Sequence, residues 1–241
     1  MKEVRKAVPG HRFIYYADNA FCPYGDKDPL FIVERCRAIT EILLGQGAQM
    51  IVVACNTATS AAIETLRKSY PVPFVGMEPA VKPAALGTQT GVVGVLATAG
   101  TLKGSKYLDT KGRFQDDVRI EERVGRGFVE LVENLELDGP HAGAVVRAAL
   151  QPLLESGADR IVLGCTHYPF LLPLMERVAA GVARPAFASG SEVRFIDPAP
   201  AVARRVEDIC RENALTPEGE GEVILMASAG KEKLEKLYEL I

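Results

Sequence analysis

Gly47-Ala48-Gln49-Met50-Ile51-Val52-Val53-Ala54-Cys55 recurs as Gly157-Ala158-Asp159-Arg160-Ile161-Val162-Leu163-Gly164-Cys165. Five of the nine positions are identical: the Gly, the Ala, the Ile, the Val and the closing Cys. Each copy reads as a loop glycine, a buried β-branched strand, and a thiol at the strand's carboxyl end. In an open α/β sheet that end is where ligands bind. A duplicated strand–thiol unit points to two related half-molecules, each offering one sulfur to a shared cleft. Two opposed acid/base groups are what inversion of a stereocentre needs.

Outward from the repeat, helical spacing of apolar residues predicts helices over 30–44, 59–69, 81–86, 129–135, 143–154, 173–180, 198–211 and 231–240. Strand signatures fall at 13–16, 51–54, 74–76, 91–96, 161–164, 195–197 and 223–226, and 97–101 reads as a loop. Strands alternate with helices throughout. This predicts an α/β protein of two pseudo-symmetric domains, each with a mainly parallel sheet flanked by helices, and an active site in the interdomain cleft. The Met77-Glu78-Pro79 connection suits one boundary, and Ser189-Gly190-Ser191 is where the chain is expected to cross back. The first domain is therefore expected at 1–77 plus 190–241, and the second at 78–189.

Composition narrows the function. With 241 residues, 48% hydrophobic and 24% charged, the chain has the balance of an ordinary globular protein. A net charge of −3 gives no electrostatic reason to expect a nucleic acid or an anionic membrane as partner. No apolar run approaches membrane-spanning length and no signal-peptide pattern opens the chain, so the cytoplasm is the expected compartment. Five cysteines without C-x-x-C spacing are expected to be reduced thiols. The three histidines, at 11, 141 and 167, have no ligand spacing to cysteine, so no metal is expected. Gly91 and Gly94 lie within a strand rather than in a G-x-G-x-x-G turn, so no nucleotide fingerprint is present.

Chemistry concentrates where the two copies end. Cys55 is followed by Asn56-Thr57, and Cys165 by Thr166-His167-Tyr168-Pro169. Hydroxyl, amide and backbone N–H donors at a helix start can hold a carboxylate. A substrate clamped in this way presents its Cα to the sulfurs; one thiolate removes the proton and the opposite thiol returns one to the other face. Thiols titrate near the working pH, so this chemistry needs no cofactor. Cys22, Cys36 and Cys210 read as small packing hydrophobes. Taken singly, Cys55 and Cys165 would read the same way, and only their matched positions and polar successors argue otherwise. Asn56 and Thr57 can equally be helix caps, Tyr24 a packing aromatic, His167 a structural hydrogen-bonding group, and Glu133 a surface acid.

Ala54-Cys55-Asn56-Thr57-Ala58-Thr59 and Gly164-Cys165-Thr166-His167-Tyr168-Pro169 resemble the two signature segments of the aspartate/glutamate racemase superfamily. Asp18-Asn19-Ala20 with Pro23-Tyr24-Gly25 resembles its substrate-binding loop. Ala97-Thr98 with Thr101, and Ile196-Asp197-Pro198-Ala199, resemble further segments, so the likeness spans nearly the whole chain. It implies cofactor-independent interconversion of L- and D-glutamate, supplying peptidoglycan synthesis. Cys55 and Cys165 would be the catalytic acid/bases. Tyr24, Gly25, Asn56, Thr57, Thr166 and His167 would bind substrate, with Glu133 and Thr98 assisting. The implied partner is a small acidic amino acid, and a homodimer is compatible with the likeness.

The likeness also has a gap. The family opens with a strand ending in an Asp-Ser-Gly-x-Gly-Gly loop. Met1-Lys2-Glu3-Val4-Arg5 resembles the middle of the helix that follows it. In the family that aspartate assists the first cysteine. Either the natural protein is longer or the chain is truncated. As written, the chain is expected to racemise weakly or not at all and to be poorly soluble. Two other readings stay open: an aspartate racemase or related isomerase, and a non-catalytic amino-acid-binding protein that has lost the chemistry.

Overall fold

A computed structural model describes every residue except Ser189, Glu218 and Ile241. The chain divides into two units, Met1–Met77 with Ala199–Ile241, and Glu78–Pro198. Each is built from parallel strands joined through helices, and no helix of the described residues is long and apolar enough to cross a membrane.

In the first unit the order is α1 (Lys2–Ala7), β1 (Phe13–Ala17), α2 (Pro29–Gly45), β2 (Ile51–Val53), α3 (Asn56–Ser69) and β3 (Phe74–Gly76). The second unit follows with α4 (Val81–Gly87), β4 (Val92–Ala97), α5 (Ala99–Lys103), α6 (Ser105–Gly112), β5 (Arg119–Val124), α7 (Phe128–Glu133), α8 (Pro140–Glu155), β6 (Arg160–Gly164), α9 (Leu172–Ala180) and β7 (Arg194–Ile196). The chain then returns to the first unit through α10 (Ala199–Glu212), β8 (Val223–Ala227) and α11 (Lys231–Glu239).

The repeated nonapeptide has a conformational basis. Gly47 and Gly157 have φ of +84° and +94°, a region open to glycine at little cost. Each follows the end of a helix and makes the same pair of bonds. Gly47 N–H donates to Leu44 C=O at 2.9 Å and Ala48 N–H to Leu43 C=O at 3.0 Å. Gly157 N–H donates to Leu154 C=O at 2.9 Å and Ala158 N–H to Leu153 C=O at 3.1 Å. These are Schellman caps closing α2 and α8, and they aim the chain into β2 and β6.

The second unit holds a four-stranded parallel sheet in the order β5-β4-β6-β7. Its central strands β4 and β6 are buried at every position, as befits a sheet covered on both faces. β5, Arg-Ile-Glu-Glu-Arg-Val, pairs among the described residues only with β4. Sequence reading found no strand there, because an edge strand keeps charges that hide its periodicity. Residues 97–101, expected as loop, already begin α5, with the Thr98 hydroxyl accepting the Thr101 N–H at 3.3 Å.

Two expectations need correction. The return to the first unit comes at residue 199 rather than 190, because Arg194–Ile196 pairs with Arg160–Val162 and so completes the second unit's sheet. Ser189, at the expected crossing, lies outside the described residues. The first unit also lacks a single sheet: β1 pairs with β8 and β2 with β3, as two separate parallel pairs. Among the described residues no strand joins them, and the strands of the β1–β8 pair are only partly buried.

Two apolar clusters hold this unit. One gathers Ile32, Cys36, Ala62, Ile63, Leu66 and Phe74 around α2 and α3, and the other Val75, Met77, Val206 and Ile209 around α10. Cys36 and Cys210 are buried there as packing groups, and burial pushes the Cys36 thiol up to about 12.

Candidate active site

In the first unit the thiol turn lies between β2 and α3. Cys55 has extended backbone angles and caps α3 itself, its Sγ accepting the Ala58 N–H at 3.4 Å. The helix therefore starts at Asn56, three residues before the apolar spacing begins at Thr59. Asn56 and Thr57 are not the caps they could have been; they form the first turn. Thr59 locks this turn: its hydroxyl donates to Val53 C=O at 3.1 Å and accepts Met77 N–H at 2.9 Å, tying together the exits of β2 and β3. A Cβ on Gly76 would fall 2.5 Å from the Thr59 methyl, so this close approach requires glycine.

Asn56 is only 4% exposed, and neither its Oδ1 nor its Nδ2 meets a hydrogen-bond partner among the described residues. A buried polar group left unpaired costs about 1–3 kcal/mol. Such an amide at a helix start beside a thiol suits a ligand carrying both donors and acceptors.

Burial raises the Cys55 thiol above the ordinary range, while Ala58 N–H, Thr57 N–H and the Thr57 hydroxyl pull it back. The thiol form therefore predominates at neutral pH. Carbamidomethylation of Cys55, followed by peptide mass spectrometry, is expected to keep accelerating with pH beyond the ordinary thiol midpoint of about 8.5. A plateau already reached at neutral pH would contradict this.

Tyr24 and Gly25 lie in the loop after β1, and Tyr24 borders the same apolar cluster as Cys55. The Tyr24 hydroxyl is taken: it donates to Asp18 Oδ2 at 2.5 Å. A carboxylate at this turn would have to take its donors from the backbone, because the phenol proton is committed to Asp18.

In the second unit Cys165 is the first residue after β6. Gly164 pairs with Ala97, so Cys165 and Thr98 leave neighbouring strands at the same carboxyl edge. A Cβ on Gly164 would lie 2.6 Å from the Ala97 Cβ, so the tight packing of these strands demands glycine. Thr166 and His167 follow, both half-buried. His167 Nε2 lies 2.8 Å from Glu133 Oε1, and His167 Nδ1 lies 3.9 Å from Cys165 Sγ. An ionised Glu133 only accepts, so it fixes the proton on Nε2 and leaves Nδ1 of a neutral ring able to accept from the thiol. Glu133 is thus joined to the His167 ring at the end of α7. Beside it, Tyr168 is fully buried and donates its hydroxyl to Gly125 C=O at 3.3 Å.

The fold thus gathers Cys55, Asn56 and Thr57 in one turn, and Thr98, Glu133, Cys165, Thr166 and His167 at the edge of another sheet. Sequence reading placed Asp18 in the resembling loop without a role of its own and missed Arg35, which with Asp18 holds the Tyr24 loop. One signal was available: Arg35 stands three residues after Ile32 and four before Ile39, on the apolar stripe of α2.

The chain is similar to known proteins along most of its length. Residues 1–206 match the model of the Asp/Glu/Hydantoin racemase family. The chain is 43% identical to the glutamate racemase of Pseudomonas aeruginosa, over 100% of this chain and 88% of that one. It is 39% identical to that of Stutzerimonas stutzeri, with the same coverage. Among solved structures it resembles Escherichia coli glutamate racemase in complex with L-glutamate and the activator UDP-MurNAc-Ala. That likeness has a TM-score of 0.82 at 32% identity, covering 99% of this chain and 88% of that one. With the family model covering most of the chain and relatives this similar, the chain belongs to the Asp/Glu/Hydantoin racemase family.

Proposed function

We propose that this protein interconverts L- and D-glutamate in the cytoplasm, supplying D-glutamate for peptidoglycan, with Cys55 and Cys165 as the two acid/base groups. The reading rests on one observation: two thiols stand at equivalent exits of parallel strands, each following the same helix-cap and strand sequence. The similarity to glutamate racemases supports glutamate over aspartate.

In this mechanism one cysteine, as thiolate, removes the Cα proton of the bound amino acid. The other, as thiol, delivers a proton to the opposite face, and the roles exchange for the reverse direction. His167, held by Glu133, receives the Cys165 proton when that residue must act as base. Asn56, Thr57, Thr166 and the backbone of Tyr24 and Gly25 hold the ligand's charged groups. The carbanion-like intermediate is stabilised by fixed donors around the carboxylate.

The test is exchange of the Cα hydrogen in heavy water, followed by proton NMR for L-glutamate, D-glutamate, L-aspartate and D-aspartate. The signal accumulates with time, so the assay reads a slow catalyst as well as a fast one. Exchange with inversion for both glutamate enantiomers, and much slower exchange for aspartate, is the expected result. Preference for aspartate would move the protein to its sister activity. Glutamate binding without any exchange would make it a binding protein.

A further inference from the structure

Asp18 is the hub of a cluster outside the two thiol turns. Its side chain is 9% exposed. Arg35, reaching across from α2, grips it with both prongs, Nη2 to Oδ1 at 2.7 Å and Nε to Oδ2 at 3.0 Å. The Tyr24 hydroxyl donates to Oδ2. The Arg35 guanidinium also stacks over Phe21, 4.1 Å from the ring centre. On the far side, the Ala20 N–H donates to Ser228 Oγ at 3.0 Å, just beyond β8. Burial acts to raise the Asp18 carboxyl, but the hydrogen bonds from Arg35, Tyr24 and Ser228 outweigh it and hold the group below the ordinary carboxylate range. Three separate stretches of chain therefore converge on one carboxylate.

What this fastens is a loop with no regular structure beyond a single 3-10 turn at Asn19–Phe21. Phe21 N–H and Cys22 N–H both donate to Asp18 C=O, at 3.0 and 3.1 Å. The loop then runs through Pro23 into Tyr24-Gly25. With its phenol proton given to Asp18, Tyr24 has only its backbone N–H left to donate to a ligand. Backbone donors have no rotamers with which to adapt, so their aim depends on the loop being held. A planar fork on a carboxylate fixes direction as well as distance, which a lysine cannot do. The pairing also cancels the Asp18 charge, which would otherwise oppose an anionic ligand at this loop.

We infer that Arg35 is a positioning residue for the ligand loop, acting through Asp18 to aim the Tyr24-Gly25 backbone at an acidic amino acid. The inference rests on the glutamate reading given above.

The test compares the unmodified chain with Arg35→Met and Arg35→Lys. Three quantities are measured: glutamate KM and kcat from Cα exchange, amide hydrogen exchange at Ala20, Phe21 and Cys22, and the melting temperature. Arg35→Met is expected to raise KM about tenfold with kcat unchanged, the signature of lost binding that is equal in ground and transition states. The three amides should exchange about tenfold faster through local opening, a change larger than that at other amides of the unit and beyond any fall in melting temperature from leaving Asp18 unpaired. Arg35→Lys, which keeps the charge but not the fork, should recover part of the KM. Unchanged KM, or a KM change matched by a general loss of stability that speeds amide exchange throughout the unit, overturns the assignment. Should the unmodified chain leave the Cα hydrogen of glutamate untouched, the racemase reading falls by itself. The amide exchange of Arg35→Met then decides alone: faster exchange confined to the loop supports the positioning role, and unchanged exchange ends it.

Discussion

Cys55→Ala and Cys165→Ala each lower glutamate racemisation by about 10²- to 10⁴-fold relative to the unmodified chain, the usual worth of one acid/base group. The physical reason is that inversion needs both faces served. A chain with one thiol can still remove a proton and return it to the same face. Each variant should therefore incorporate deuterium into one enantiomer at most, with retention, and the two variants should differ in which enantiomer that is. Polarimetry reads the inversion and NMR the exchange. Conversion by either variant within about tenfold of the parent rate would remove its cysteine from the mechanism. Cys36→Ala is the control. That thiol is buried in the α2–α3 cluster, so its loss should act on stability through the small cavity left behind.

Asp159→Ala should be the most damaging single change to stability. The Asp159 side chain is wholly buried and accepts from four donors: the Thr88 hydroxyl at 2.5 Å, Gln89 N–H at 2.8 Å, the Thr90 hydroxyl at 3.1 Å and Arg160 Nη1 at 3.1 Å. Removing the carboxylate takes this acceptor from Gln89 N–H and the two threonine hydroxyls, and leaves the nearly buried Arg160 guanidinium facing only the Asp159 and Glu192 carbonyls, with no countercharge in contact among the described residues. Breaking a buried pair from one side costs about 3–5 kcal/mol. Calorimetric melting of the second unit should fall by on the order of 10 °C. Asparagine should rescue it only in part, because its amide group keeps one accepting oxygen where the carboxylate has two and removes the negative charge that faces Arg160. A shift below about 2 °C for Asp159→Ala would mean the network contributes little net stability. The network pins the loop before β4 to the start of β6, so it guards the strand that delivers Cys165.

The repeat was legible because everything it encodes is local. Gly47 and Gly157 accept positive φ, the next residue completes the cap, a β-branched run extends, and a thiol follows. The same locality made most of the helices and strands readable. It failed at α5, α6 and β5, where short helices and a charged edge strand carry no clean period. It failed again at α3, whose first turn is polar and is held by the Cys55 sulfur rather than by a conventional capping oxygen.

Other features could not be read from nearby residues at all. Glu133 stands 34 positions from His167, Asp18 stands 17 from Arg35, and three of the four partners of Asp159 lie about 70 away. The repeat itself conceals this last case: Gln49 in one copy and Asp159 in the other sit at the same place, yet only Asp159 is a buried hub. Backbone conformation and strand direction follow from steric rules acting over a few residues, so the chain's own order was enough to reveal two thiols at two strand ends. Which charge meets which partner depends on strand register and helix packing, and those exist only once distant segments have closed on one another.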